Sequence, residues 1–175
     1  MTIRKYKGLT PTFPASTYID EQACVIGNVT LGEDCSVWPM VVMRGDMDSI
    51  KVGNRTNIQD ATIVHVTHGS KYFPTGYDVV IGDDVTIGHK ATIHGCHIGN
   101  RVLVGIDTTI LDGAIIEDDV MIGAGSLIPP GKRITSKKLW LGRPARAIRD
   151  LTKKEIAFLK YSAKSYSALK NTYIE

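Results

Sequence analysis

The sequence has no run approaching about 18 continuous apolar residues, the length a membrane-crossing helix needs, so its pattern excludes a span of that kind. Its opening stretch, MTIRKYKGLTPTFP, has no apolar core of the sort a secretory leader carries. Cysteine is scarce: Cys24, Cys35 and Cys96 are an odd number and show no CxxC spacing. They cannot all pair with one another, and reduced thiols in a cytoplasmic protein are the expectation. Histidine is scarce too, with 5 in 175 residues, yet His89, His94 and His97 crowd into TIGHKATIHGCHIG. A chain of this length fits one domain and can bury a core without disulfides.

The small net charge of +3 hides an asymmetry. From Lys132 onward, 12 Lys and Arg face only Asp150, Glu155 and Glu175, a local charge of +9 against −6 for the rest. A basic tail can signal nucleic acid. Here the basic residues alternate with apolar ones at helical spacing, which describes a solvated helix face, and no nucleic-acid partner is expected.

What the sequence has in quantity is a period. Ile19, Val25, Leu31, Val37 and Met43 fall six apart, and four places after each stands Ala23, Val29, Cys35, Val41 or Met47. The register slips by three at DMDSIK and resumes with Val52, Ile58 and Val64. After a longer break, VTHGSKYFPTGYDVV, come Ile81, Ile87 and Ile93; one residue is lost, and Ile98, Val104, Ile110, Ile116, Ile122, Ile128 and Ile134 complete the series. Six is neither a helical nor a hairpin period. It describes a short strand, a bend and another strand, with the aliphatic residue inward at each step and a small or apolar residue sharing the interior. Gly, or a residue tolerant of positive φ, eases the bends. Three sides close a triangular coil, and coils stack at about 4.8 Å. The expected fold is mainly β, a parallel β-helix of hexapeptide repeats over about 12–135.

The C-terminal part reads differently. Thr152 and Glu155 stand at capping-box spacing, and Ile156, Leu159, Ala163, Tyr166, Leu169 and Tyr173 recur every three or four residues. That predicts one amphipathic helix over about 151–173, its apolar stripe laid on a face of the β-helix. Residues 136–150, including LGRPARAIRD, read as a linker in which Pro144 blocks regular structure.

In the hexad frame His65 and His94 each follow an inward aliphatic residue by one place, and His89 follows Ile87 by two. All three point away from the core near bends. One exposed imidazole needs no explanation, but three at related positions on neighbouring coils suggest an open tridentate metal site with room for water. Cys96 is expected to be a small packing residue and His97 an exposed one.

These hexads, with RGDMDSIKVGNRTNIQDATIVHVTH and GHKATIHGCHIGNRVLVG, resemble the gamma-class carbonic anhydrase family, most closely its YrdA-like branch, over nearly the whole chain. The resemblance implies a left-handed coil and a homotrimer with each metal held between two subunits. QDATIVH would supply His65 from one chain, and HKATIH would supply His89 and His94 from its neighbour. Zinc is the default ion for three imidazoles, and ferrous iron or cobalt also suits them. Arg44, Asp46 and Asp60 resemble an ionic cluster that ties subunits together, and Gln59 resembles a residue that hydrogen-bonds metal-bound water or bicarbonate. The implied reaction is reversible hydration of carbon dioxide by a metal-bound hydroxide at the trimer interface.

Two departures bear on activity. Met47 stands where the best-characterised branch has a glutamate after its RxD motif, and VTHGSKYFPTGYD has no glutamate at all. His68 falls where a proton-shuttling glutamate would be expected and is either a substitute shuttle or a loop residue without a role. Tyr161 either reaches the site from the helix or packs on the coil. Slow or, in some assays, undetectable hydration is therefore the expectation. Two other functions use the same repeats: acyl transfer or thioester hydrolysis on coenzyme A thioesters, and binding of a ferric siderophore of the ferripyochelin type. For the last, Tyr72, Phe73 and Tyr77 could supply an aromatic pocket or only anchor the loop.

Overall fold

The computed structural model describes residues 2–174. Aliphatic residues six apart fall on three successive faces of a coil, so residues one full turn apart come into parallel register. On the first face Val25, Met43, Val64, Ile93, Ile110 and Ile128 pair in sequence. The second face stacks Leu31, Val52, Ile81, Ile98, Ile116 and Ile134. The third stacks Ile19, Val37, Ile58, Ile87, Val104 and Ile122, with Trp140 closing the column. None of these side chains is more than 9% exposed, and together they are the core. The strands Cys24–Leu31 and Val42–Val52 run round the corner between the first two faces and join them into one 11-stranded sheet, while the third face is a separate 8-stranded sheet.

All three departures from the six-residue period lie at that same corner, between Met43 and Val52, Val64 and Ile81, and Ile93 and Ile98. Only the faces must repeat for coils to stack. A corner projects outward and can be lengthened or shortened without breaking the columns. Met47, which the frame places inside, is 50% exposed because the chain bulges there, and Ile50 is buried instead.

The bends run through positive φ, as expected, with Gly27, Gly95, Gly113 and Gly131 at the corner between the first two faces. The other two corners use ordinary residues in the left-handed region: Asp34, Arg55, Asp84, Arg101, Asp119 and Lys137 at one, and Met40, Ala61, Lys90 and Asp107 at the other, with φ of 54–61°. A side-chain ladder offsets part of that strain. Asn54, Asp83, Asn100 and Asp118 each accept the backbone N–H of the coil below, at 2.8–2.9 Å. The glycines that follow the aliphatic residues serve stacking instead. A Cβ on Gly53 would lie 2.7 Å from the Gly82 carbonyl carbon and 2.8 Å from the Asp83 nitrogen.

Residues 136–150 are not a structureless linker. Lys138–Gly142 and Ala145–Asp150 form an antiparallel hairpin that extends the third face. Pro144 sits in its turn, after a cis Arg143–Pro144 peptide, where no ladder N–H is needed.

The helix Lys153–Lys170 packs on the third face, over the strands Ser36–Val37, Asn57–Ile58 and Thr86–Ile87. It buries Leu159, Ser162, Ala163 and Lys170, while Leu169 and Tyr173 are exposed. Small side chains at 162 and 163 let the helix approach closely, and the Lys170 ammonium reaches Asp34 at 3.0 Å. No described helix is long and apolar enough to cross a membrane. The helix starts at the expected capping box, Thr152 with Glu155. Hydrogen bonds from Arg149 and from Thr152 hold the Glu155 carboxyl down at about 2. A carboxyl depressed by folding stabilises the fold above the ordinary carboxylate range and loses that contribution as pH falls toward 2. Thr152→Ala is expected to destabilise the helix by about 1 kcal/mol, read by circular dichroism during urea unfolding. The deficit of the variant should shrink in acid as Glu155 takes up its proton.

Candidate functional site

Arg44, His65 and His94 lie in register on adjacent first-face strands. Each follows a buried aliphatic residue, so each points outward. The two imidazoles are 5.1 Å apart between centroids, and His65 Nδ1 lies 3.1 Å from His94 Nε2. Their other nitrogens are both engaged by carboxylates. His65 Nε2 is 3.1 Å from Asp46 Oδ1, and His94 Nδ1 is 2.8 Å from Asp112 Oδ1. A carboxylate only accepts, so those nitrogens carry the protons. Burial lowers the His65 pKa and the nearby Arg44 charge adds to it, outweighing the opposite pull of Asp46. A neutral His65 whose Nε2–H faces Asp46 keeps its lone pair on Nδ1. Asp46 is ion-paired with Arg44. Burial pushes its carboxyl up, but the hydrogen bonds from Arg44 and His65 outweigh this and keep it below the usual range.

His89 stands elsewhere, at the corner between the third and first faces. It sits one coil above Asp60, with Nδ1 2.9 Å from Oδ2. His89 and His94 are near in sequence, but a corner separates them. The structure pairs His94 with His65, not with His89, so grouping the ligands by motif does not match the geometry of one chain. Among the described residues no three His, Cys, Asp or Glu side chains are arranged to hold a metal ion. Asp60 pairs with His89 rather than with Arg44.

Gln59 is buried, 5% exposed, at the foot of a polar chain. Its Nε2 donates to Asn57 Oδ1 at 3.1 Å, Asn57 Nδ2 donates to Thr86 Oγ1 at 3.0 Å, and the Thr86 and Ser162 hydroxyls are 2.9 Å apart. The helix is thus wired to Gln59. The helix tyrosine that meets Gln59 is Tyr166: burial and the Asp60 charge raise its phenol pKa, and the Gln59 hydrogen bond works the other way. Tyr161 is 65% exposed and packs on Phe158, with centroids 6.1 Å apart. His68 is exposed on the loop 66–78. That loop is pinned at its neck, where Thr67 and Tyr77 exchange backbone hydrogen bonds of 3.0 and 2.8 Å.

Asn57, Tyr166, Thr67 and Asp112 are absent from the sequence-derived site. For Asp112 a signal existed: a carboxylate 18 residues, one coil, beyond an outward histidine. Beside the site lies an open groove of about 480 Å³ lined in part by Asp48, Tyr77, Asp78, Cys96 and His97. His97 Nε2 is 2.7 Å from Asp78 Oδ1. Cys96 is buried and burial pushes its thiol well above the ordinary range. Tyr77 packs over Gly113 and against Phe73, so it anchors the loop, whereas Tyr72 is 75% exposed.

Residues 95–130 match the family pattern described as bacterial transferase hexapeptide (six repeats), and residues 78–111 match the hexapeptide repeat of succinyl-transferase. Protein YrdA of Escherichia coli strain K12 is 51% identical over 173 residues, which covers 99% of this chain and 94% of YrdA. Gamma carbonic anhydrase 2, mitochondrial, of Arabidopsis thaliana is 42% identical over 160 residues, 90% of this chain and 56% of the plant protein. The crystal structure of a hexapeptide transferase family protein from Anaplasma phagocytophilum superposes with a TM-score of 0.91 at 41% identity, covering 98% of each chain. A transferase name on the repeats marks the coil, which many chemistries share. End-to-end likeness to YrdA, together with the likeness to a gamma carbonic anhydrase, carries the narrower conclusion: the chain belongs to the gamma-class carbonic anhydrase family, in its YrdA-like branch.

Proposed function

We propose that this chain forms a homotrimer that holds a divalent metal ion between neighbouring copies and catalyses the reversible hydration of carbon dioxide to bicarbonate. One observation supports this above the others: His65 Nδ1 and His94 Nε2 face each other at 3.1 Å while carboxylates hold the protons of both rings on the far side. Two lone pairs so placed are satisfied by a cation, and neutral imidazoles suit zinc first, with ferrous iron or cobalt acceptable. His65 and His94 of one copy would supply two donors. His89, set at a different corner, would supply the third to the adjacent copy. Such an ion would supply Lewis-acid chemistry and bring the pKa of a water down toward about 7.

The chain's own residues do the rest. Asp46, held by Arg44, fixes the His65 ring, and Arg44 would also reach Asp60 of the neighbouring copy, completing the ionic cluster. Gln59, anchored through Nε2, orients water or bicarbonate with its remaining amide valences. His68 carries the proton to solvent in place of the glutamates this chain lacks, so turnover is slow. Tyr161 has a role only if the neighbouring copy brings a site to it. The free thiols suit a cytoplasmic setting.

Metal analysis of anaerobically purified protein, paired with stopped-flow carbon dioxide hydration, tests the proposal. Metal near stoichiometric with the chain and a hydration rate that follows it support the reading; full metal with no rate overturns it. One arrangement favours coenzyme A chemistry: His97, backed by Asp78 at the groove, has the layout of a general base. Release of coenzyme A from acyl thioesters, lost in His97→Ala and kept in His89→Ala, would establish that function. Titration with ferric pyochelin, before and after His89→Ala, reads out siderophore binding.

A further inference from the structure

We infer that Asp112, braced by Thr67, is a positioning residue that commits His94 to metal binding through Nε2. This makes the neck of the loop 66–78 part of the metal site. The inference rests on the metal reading proposed above.

Each of the three histidines has one carboxylate: Asp46 for His65, Asp60 for His89 and Asp112 for His94. Asp46 is shared with Arg44. Asp112 is committed differently. Its Oδ1 accepts from His94 Nδ1 at 2.8 Å and from the Thr67 hydroxyl at 3.1 Å. A neutral imidazole has one N–H, so an acceptor at Nδ1 leaves the Nε2 lone pair free. A carboxylate partner also raises the basicity of a ligating ring.

The surroundings hold the clamp. Thr67 is tied to Tyr77 through both backbone hydrogen bonds, and the Tyr77 ring closes over Gly113. Gly95 has φ of +50°, and a Cβ there would fall 2.1 Å from Asp112 Oδ1 and 2.7 Å from Tyr77 Cβ. Gly95, in the shortened corner between Ile93 and Ile98, leaves room for Asp112 beside His94, and the long insertion after Val64 delivers Thr67 to brace it.

The test uses the intact protein as wild type, Asp112→Ala, Asp112→Asn and Thr67→Val. Zinc affinity is read by competition with a chromophoric chelator, and the His94 tautomer in metal-free protein by long-range proton–nitrogen correlation. Asp112→Ala is expected to weaken zinc binding by about 10–100-fold, the usual loss for an outer-shell partner. It should also shift metal-free His94 from the Nδ1–H toward the Nε2–H form. Asp112→Asn, whose amide oxygen still accepts from Nδ1, should recover most of the affinity, a rescue that a purely structural role does not predict. Thr67→Val should shift both readouts in the same direction by less. Wild-type affinity or an unchanged tautomer in Asp112→Ala overturns the inference. If that variant does not assemble, an unchanged affinity and tautomer in Thr67→Val do so instead. If the wild type binds no zinc, the metal reading fails, and the tautomer shift in metal-free protein decides the role of Asp112 by itself.

Discussion

Trimers built only of His89→Ala chains, and trimers built only of His65→Ala/His94→Ala chains, should each lose bound metal and carbon dioxide hydration. Co-expressing the two chains should restore part of both. The reason is geometric. His65 and His94 face each other on one face of the coil, whereas His89 stands at another corner against Asp60. If the ion lies between copies, a His89→Ala chain still offers its His65 and His94 to a neighbour, and the doubly substituted chain still offers its His89. Every mixed trimer then contains one complete donor set. Loss of a direct ligand should exceed the roughly 10–100-fold that outer-shell substitutions cost in affinity. Recovery in the mixed trimers is therefore easy to separate from background by metal analysis and stopped-flow kinetics. Failure to recover in assembled mixed trimers would sink the shared site, as would a monomer that keeps its metal.

Ile93→Ala should destabilise the metal-free protein by about 2–5 kcal/mol, the range for truncating a fully buried aliphatic side chain. Ile93 is 0% exposed and stacks between Val64 and Ile110 in the first-face column. Neighbouring coils are held at strand spacing by backbone hydrogen bonds, so the lining cannot collapse into the space left behind. Ile63, one strand below and 42% exposed on the outer side of the same face, is the control. In a monomeric state Ile63→Ala should stay within about 0.5 kcal/mol. Urea unfolding of both variants measures the contrast. A loss below about 1 kcal/mol for Ile93→Ala would mean that the column is not packed as described. Because Ile93 precedes His94, the same variant should also loosen the His94 ring and weaken metal binding.

The hexad frame identified most inward positions correctly because burial repeats with the local period. Ile87 or Val104 faces inward whatever lies on the next coil. Met47 failed where the frame ran into a bulge. The capping box of Thr152 and Glu155 was legible for the same local reason, since its two partners are three residues apart. The helix stripe was legible in part. Leu159 and Ala163 are buried and the half-exposed Tyr173 ring packs on Trp38 and Tyr18, but Leu169 lies outside, because the docking surface is set by what the coil presents: Thr86 meets Ser162, and Asp34 meets Lys170. The hairpin at 138–150 is not legible in the sequence, because Pro144 breaks a strand only from inside it and here it stands in the turn, a placement set by pairing across the turn.

By itself, then, the sequence determined the coil, its three aliphatic columns, the outward direction of the histidines and the start of the helix, because each follows from spacing over a few residues. Only the tertiary structure decided which groups meet. His65 reaches His94 across 29 residues and His94 reaches Asp112 across 18. Those separations differ because each coil is lengthened or shortened independently at one corner, so contacts along the coil axis have no fixed spacing in the chain.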